Sequence, residues 1–284
     1  MKISRVGILL LLVTAFALLT GCGIVNKVRA RNELNDGAKA YKERRFDEAE
    51  SHFALAMTLD PSEKRTETFM ARTLHQQYLT NRAVPENMKK AEQAIKVYEQ
   101  ILAANPDDEA TSDAISSLIG ALKGPQALVE WRTKRANDER VKPEYRSKAL
   151  TFLAGEKYNC VNEITEAAKD TVQKNNEAVF VFKKPENPED FAKAKQCADD
   201  GLVLIGKALS LDSAKSSPFS YKASLLVQKS RLAEMDGNAA DKEKFKADAE
   251  EPKKRFQELS EAEAKRKEEA EAEAKRKADE AGEL

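Results

Sequence analysis

Apolar residues along this chain follow the spacing of helices over most of its length. After a nearly unbroken apolar run at Val6–Leu19, they recur every three or four positions, which places them on one side of an α-helix. A well-defined stripe in residues 46–60 consists of Ala49, Phe53 and Ala56. Asp60 and Pro61 then predict the end of this helix, because proline disfavours helical geometry in the residue before it.

The same pattern returns later in the chain. Ala94, Tyr98 and Pro106 repeat the spacing of Ala49, Phe53 and Pro61. The first helix of this second copy is predicted at residues 66–80, and its apolar stripe contains Phe69, Met70, Leu74 and Tyr78. The following segment "NRAVPENMK" is longer than a short connection, so it is either an extended loop or part of lengthened helices.

Residues 37–61 resemble one tetratricopeptide repeat, a unit of about 34 residues that folds as two antiparallel helices. Gly37 occupies the position of the small residue that lets the two helices approach each other. The remaining matches are Phe46, Ala49, Phe53, Ala56 and Pro61. The resemblance departs from the family where Glu33 replaces its tryptophan and Ala40 its tyrosine.

Further helical segments follow Pro106, and the ending at Ala208–Asp212 echoes the one at Ala56–Asp60. Because about three stacked repeats are needed to bury their apolar faces, we expect one continuous all-α solenoid over residues 31–250 instead of two domains. The β-prone stretch "AVFVF" interrupts this pattern. It is interpreted as an inserted loop or a helix end, since a short strand there has no evident partner.

Residues 251–284 change in composition to alanine, glutamate and lysine, and "EAEAKRK" starts at Glu261 and again at Glu271. Pairs such as Glu273 and Lys277 stabilise an exposed helix by roughly 0.2–0.5 kcal/mol each. The segment is similar in composition to the charged helical spacers of envelope-spanning proteins. The alternative is a solvated helix without a partner, and the alanines offer a poor coiled-coil seam.

The N-terminal segment has the order of a secretory signal. Lys2 and Arg5 precede an apolar run of roughly 14 residues, shorter than the ~20 that span a membrane. The run ends at Leu19-Thr20-Gly21-Cys22, which resembles the lipobox of bacterial lipoproteins.

That resemblance implies cleavage between Gly21 and Cys22 and fatty acylation of Cys22. Residues 1–21 are then a signal peptide and residues 22–30 a lipidated tether, whose basic residues contact lipid head groups or only solvent. The alternatives are a signal peptide without lipid and a short anchor helix. Because Gly23 stands where an aspartate resembles the inner-membrane retention signal, we expect an outer-membrane protein that faces the periplasm.

Two cysteines remain in a compartment where disulfides persist. Cys160 and Cys197 are predicted to form a disulfide, and its loop of about 37 residues stabilises the fold by roughly 3–4 kcal/mol. The alternative is two buried thiols that pack as small apolar groups.

The net charge and the absence of known motifs argue against several classes of function. Cleavage of the signal peptide would remove Lys2 and Arg5, so the 48 basic residues of the chain fall to 46 in the mature protein, against 48 acidic residues. This charge balance gives no indication of nucleic-acid binding. The sequence contains no metal-binding, nucleotide-binding or nucleophile motif. We therefore expect neither an enzyme nor a protein with a cofactor, a metal or a small-molecule substrate.

The family resemblance implies an interaction protein, because tetratricopeptide repeats hold peptides or partner helices in a concave groove formed by their first helices. Transferring the groove positions to this sequence gives Leu34, Tyr41, Lys42, Arg72, His75 and Gln76. The alternative for Leu34 and Tyr41 is packing against the next helix. A second hypothesis is a mechanical or spacing protein, whose charged C-terminal helix contacts peptidoglycan or another envelope complex.

Overall fold

The computed structural model describes residues 5–174 and 177–282, without the side chains of residues 5–22, 174, 177, 179, 281 and 282. These ranges form, in chain order, α1 (Arg5–Lys42), α2 (Phe46–Leu59), α3 (Lys64–Thr80), α4 (Pro85–Ala104), α5 (Glu109–Asn137), α6 (Pro143–Ala167), β1 (Lys169–Lys174), β2 (Glu177–Phe182), α7 (Pro188–Leu211), α8 (Ser216–Met235), α9 (Ala239–Asp248) and α10 (Glu250–Gly282). The helical fold class predicted from the sequence is confirmed.

Contacts between these elements divide the chain into two compact units. The first ends at Leu128 and the second begins at Val129, so the boundary lies within α5. Gly124 interrupts α5 with a φ of 82°, a conformation that glycine adopts without strain, and Pro125 then begins the next helical segment. The continuous stack over residues 31–250 and its tetratricopeptide identity stay predictions.

In the first unit, α1 and α2 pack closely around the ring of Phe53. A Cβ atom added to Gly37 would lie 2.6 Å from Cε1 of that ring, so only glycine allows this approach. The predicted stripe of α2 is fully buried there and joins a small core made of Leu34, Ala40, Ala49, Phe53 and Ala56. The sequence pattern therefore identifies the packed face of α2 and the role of Gly37 correctly.

The second helix pair of this unit has longer helices than a standard repeat. Helix α4 begins at Pro85, so the loop after α3 contains only residues 81–84. Pro85 suits this first position because it lacks the backbone N–H that has no partner there. The "NRAVPENMK" segment is thus mainly helix, and the ring of Phe69 on α3 stacks on Phe53 at 5.5 Å to join the two pairs.

In the second unit, a β-hairpin connects α6 and α7, where the sequence predicts a loop or a helix end. Strand β1 pairs antiparallel with β2, with Lys169 opposite Phe182 and Val172 opposite Val179. The guanidinium group of Arg231 on α8 lies 3.6 Å from the centre of the Phe182 ring. The "AVFVF" stretch therefore has a partner strand, which was missed because β1 lacks alternating apolar residues.

Helix α10 is docked at its start and exposed afterwards. Pro252 is fully buried, and both carboxylate oxygens of Glu263 accept hydrogen bonds from Ser216, at 3.0 Å from its backbone N–H and 2.7 Å from its hydroxyl. Every side chain in residues 264–280 is exposed, and Glu273 pairs with Lys277 at 2.6 Å. The exposed charged helix predicted for residues 251–284 is therefore free of the core only beyond Glu263.

Candidate functional site

The end of α1 presents an aromatic and a basic side chain to solvent. Tyr41 is half-buried, and its ring meets the edge of Phe46 with 5.5 Å between the ring centres. This contact orients Tyr41 across the short turn between α1 and α2. Lys42, the last residue of α1, is exposed.

Leu34 lies elsewhere, in the core between α1 and α2. Only 5% of its surface is accessible, and it packs in the cluster around Phe53. Its assignment to the groove is therefore corrected to a packing role. Tyr41 lies two turns further along the same side of α1 and packs on the edge of this cluster, but it stays half-buried near the end of the helix.

Helix α3 contributes three predicted groove residues. Arg72 is exposed, whereas His75 and Gln76 are half-buried. Residues four apart share one side of a helix, so Arg72 and Gln76 lie side by side. We call Tyr41, Lys42, Arg72, His75 and Gln76 together the α1–α3 surface.

Tyr98 on α4, which the sequence indicates only as a repeat position, lies beneath part of this surface. Its side chain is 3% exposed, and its ring meets His75 edge-on with 6.2 Å between ring centres. Burial raises the pKa of Tyr98 well above its usual value of 10.0, the positive charge of Arg72 opposes this rise, and Tyr41 adds to it. His75 therefore contacts this buried phenol, and the charge of Arg72 and the hydroxyl of Tyr41 act on it electrostatically.

His75 is held neutral at this position. Burial, followed by the positive charge of Arg82, lowers its pKa below the ordinary value of 6.5. A neutral imidazole ring can accept or donate a hydrogen bond and can also pack against an apolar side chain. His75 is thus suited to a neutral partner atom, while Arg72 is suited to a carboxylate.

A polar network fixes the helices behind the α1–α3 surface. The amide nitrogen of Gln77 donates hydrogen bonds of 2.8 Å to Asp47 and 2.8 Å to Glu50, both on α2. Lys90 on α4 then donates to the same Glu50 at 2.9 Å. Because the Gln77 side chain is almost fully buried, these bonds hold α2, α3 and α4 in one relative position.

The second unit contains a separate cleft with a volume of about 470 Å³. Its walls come from α5, α6 and α7, and their apolar part includes Val129, Leu150, Leu153, Leu204 and Leu211. Arg146 and Lys207 lie at the same cleft, and Arg146 donates a 3.0 Å hydrogen bond to the carbonyl of Ala136. None of the predicted groove residues lines this cleft.

The remaining predicted sites concern the cysteines. Cys160 on α6 and Cys197 on α7 form a disulfide, with 6.3 Å between their Cα atoms. The side chains of Gly21 and Cys22 lie outside the described residues, so cleavage and lipidation there stay predictions. Among the residues that the structure describes, no cluster of acidic, histidine and cysteine side chains could hold a metal ion.

Comparisons with known proteins do not assign the chain to a family. Among the residues whose side chains the structure describes, which exclude residues 5–22 of α1, no helix has the length and apolar character needed to cross a membrane. No protein-family model matches the chain, and no curated protein is significantly similar to it.

Proposed function

We propose that the chain is a lipid-anchored adaptor of the bacterial cell envelope, which binds a peptide segment or a helix of a partner protein on its α1–α3 surface. The lipid on Cys22 holds this surface at the outer membrane, facing the periplasm. The protein acts by tethering, because a partner held at the membrane meets other membrane components at a raised effective concentration. The proposal assigns no reaction and no cofactor to the chain.

The observation that carries this proposal is the pair of available cations on the α1–α3 surface. Arg72 and Lys42 are exposed, and neither has a hydrogen bond or ion pair with another described residue. Tyr41, next to Lys42 in the chain, and His75, three residues after Arg72 on α3, are half-buried. Arginine and aromatic residues contribute most of the binding energy at protein interfaces, and arginine binds carboxylates in a planar, two-bonded geometry.

The partner should therefore carry at least one carboxylate next to an apolar side chain. The carboxylate would bind Arg72, and the apolar side chain would pack on Tyr41 and His75. The helices that present these residues are already packed, α3 through the Gln77 network and α1 through the core around Phe53, so binding requires little ordering of the chain.

The experiment is a quantitative pull-down from solubilised membranes with the acylated protein and two double variants. The Tyr41→Ala, Arg72→Ala variant should retain a specific partner at least about tenfold less well, since two such truncations each remove about 1 kcal/mol or more. The matched control is Tyr145→Ala, Arg140→Ala, which also removes a half-buried tyrosine and an exposed arginine. A partner retained equally by both variants would reject the α1–α3 surface.

A second candidate function rests on the exposed part of α10. A helical stretch in which every side chain of residues 264–280 is exposed has the form of a spacer or a contact arm. Truncation after Glu263 tests this function, because it removes the arm and keeps the hydrogen bonds to Ser216. Loss of the partner with this truncation, together with retention in the Tyr41→Ala, Arg72→Ala variant, would favour the spacer.

A further inference from the structure

The first described turns of α1 after Cys22 carry an exposed apolar stripe. Ile24, Val25 and Val28 are 65%, 57% and 57% exposed. At 3.6 residues per turn they lie within about 100° of one another on the helix surface. Exposed aliphatic residues are ordinary when single, but three on one side of a helix form a patch.

The outer side of α1 changes from apolar to polar along the helix axis. Two turns beyond Val28, the same side presents the exposed Asn35. The opposite side packs into the first unit through Ala30 and Leu34, which are 4% and 5% exposed. The apolar part of the outer side is therefore limited to the end of α1 nearest Cys22.

Basic residues border the stripe. Lys27 and Arg29 flank it on its two sides, each about 100° from its centre on the helix surface, and Arg31 follows one turn later. All three are exposed and none forms an ion pair with another described residue, and the charge of Arg31 also reaches Glu63, where it helps to lower the pKa of that carboxyl. An apolar stripe with a cationic border is the pattern of helices that lie in the interface of a membrane with anionic lipids.

We infer that the segment 23–28 of α1 is seated in the membrane interface, with Ile24, Val25 and Val28 among the upper acyl chains. The inference rests on the proposed lipidation, which places Cys22 at the bilayer. Ile24 then lies about 3 Å and Val28 about 9 Å from Cys22 along the helix axis, so the whole stripe is within two turns of the acylated residue. Lys27, Arg29 and Arg31 bind the phosphate groups of the lipids at the border.

Burial of segment 23–28 in the membrane interface changes how the lipid anchor holds the protein. Residues 22–30, which the sequence predicts as a lipidated tether, form a helix that continues without interruption into the packed part of α1. Because Ala30 and Leu34 pack in the first unit, a seated helix fixes the tilt of that unit on the bilayer. The α1–α3 surface, at the other end of the same helix, then has a defined height above the membrane.

The test uses the acylated mature protein in vesicles of phosphatidylethanolamine and phosphatidylglycerol that contain brominated lipids. A fluorescent label is attached in turn at Val28→Cys, Asn35→Cys and Asn26→Cys, and bromine quenching is measured. Val28 and Asn35 share the outer side of α1, whereas Asn26 is closer to Cys22 in sequence but lies about 160° away from Val28. Mass spectrometry first establishes that Cys22 carries acyl chains.

A seated helix predicts quenching at Val28 at least about twofold stronger than at Asn26 and at Asn35. A slack tether predicts instead that quenching decreases steadily from Asn26 to Val28 to Asn35, and that order with an acylated Cys22 overturns the seat and leaves the lipid anchor intact. A Val28 label shielded from water but not quenched by bromine also overturns it, in favour of a protein partner or a second copy. An absent acyl mass overturns the lipid anchor and the seat together.

Discussion

The ring of Phe53 lies directly against the backbone of Gly37, with Cε1, Cδ1 and Cζ at 2.6, 2.8 and 3.0 Å from the position of an added Cβ atom. The ring cannot move aside easily, because it is fully buried and stacked on Phe69. This contact sets the distance between α1 and α2 and so the position of the Tyr41 end of the α1–α3 surface.

The Gly37→Ala substitution should destabilise the first unit by about 1–2 kcal/mol. Alanine favours a helix over glycine by about 1 kcal/mol, but overpacking against a buried ring costs about 1–3 kcal/mol and outweighs that gain. Hydrogen exchange of α1 and α2 peptides, followed by mass spectrometry, measures the loss. The control is Gly206→Ala on α7, where an added Cβ meets nothing within 4 Å, so α7 should become slightly more stable.

Acidification should weaken the first unit through His75. Its pKa is lowered in the folded state, so the folded protein resists protonation and the unfolded chain binds the proton first. The contribution of His75 is complete above its ordinary pKa of 6.5 and is lost as the pH falls below that value. The proton resonances of His75 should titrate below pH 6.5, and the His75→Gln variant should lose less stability between about pH 7 and pH 5. A midpoint at or above 6.5 would contradict the burial of this ring.

Reduction of the Cys160–Cys197 disulfide should destabilise the second unit. The bond closes a loop with a sequence separation of 37, and the chain-entropy estimate for such a loop is roughly 3–4 kcal/mol. Urea unfolding with and without a reducing agent, monitored at Trp131 in the same unit, measures the change. The Cys160→Ala, Cys197→Ala variant serves as the control, since the reducing agent should leave its unfolding midpoint where it is.

The Glu263→Ala variant should release the docked start of α10. Two hydrogen bonds to the first turn of α8 disappear, with a loss of about 1–2 kcal/mol that hydrogen exchange of α10 peptides measures. Glu271→Ala, in the exposed part of the same helix, should change exchange by no more than about 0.5 kcal/mol. Similar exchange in the two variants would show that Glu263 does not hold the helix.

The contact between Glu263 and Ser216 should weaken at low pH. Burial acts to raise the pKa of Glu263, but the bonds from Ser216 and the charges of Lys215 and Arg266 outweigh it and leave the pKa below 4.5. A carboxylate with a lowered pKa stabilises the folded state above its ordinary value, and this contribution is lost as the pH falls through the folded pKa. Docking of α10 in the wild type should therefore persist at pH 4.5 and weaken below it, whereas the Glu263→Ala variant should show no such step.

Local patterns in the sequence were sufficient for most helices. The stripe of Ala49, Phe53 and Ala56 depends only on the helical period, and the close approach at Gly37 was implied by the tetratricopeptide resemblance, so both could be predicted. The hairpin could not, because β1 is polar and its stability depends on backbone pairing with β2 and on Arg231 from α8. The start of α4 at Pro85 was ambiguous for a similar reason, since its first turn carries no apolar stripe.

The α1–α3 surface could be predicted only in part. The repeat positions identify Tyr41, Arg72 and His75, but their convergence on Tyr98 depends on how α3 and α4 are rotated against each other. In the same way, the rotation of α1 about its own axis buries Leu34, which the repeat pattern assigns to the groove. A helical period shows which residues share a side and leaves open which side meets the neighbouring helix.

The binding of a partner at the α1–α3 surface is tested most directly by photo-crosslinking in intact cells. A photoreactive amino acid is placed at Gln76, beside Arg72, and in a second strain at Leu55, which is 41% exposed on α2. We expect one adduct of defined mass from Gln76, its loss when Arg72→Ala is added, and no such adduct from Leu55. Equal adducts at both positions, or an adduct at Gln76 that persists without Arg72, would contradict the proposed surface.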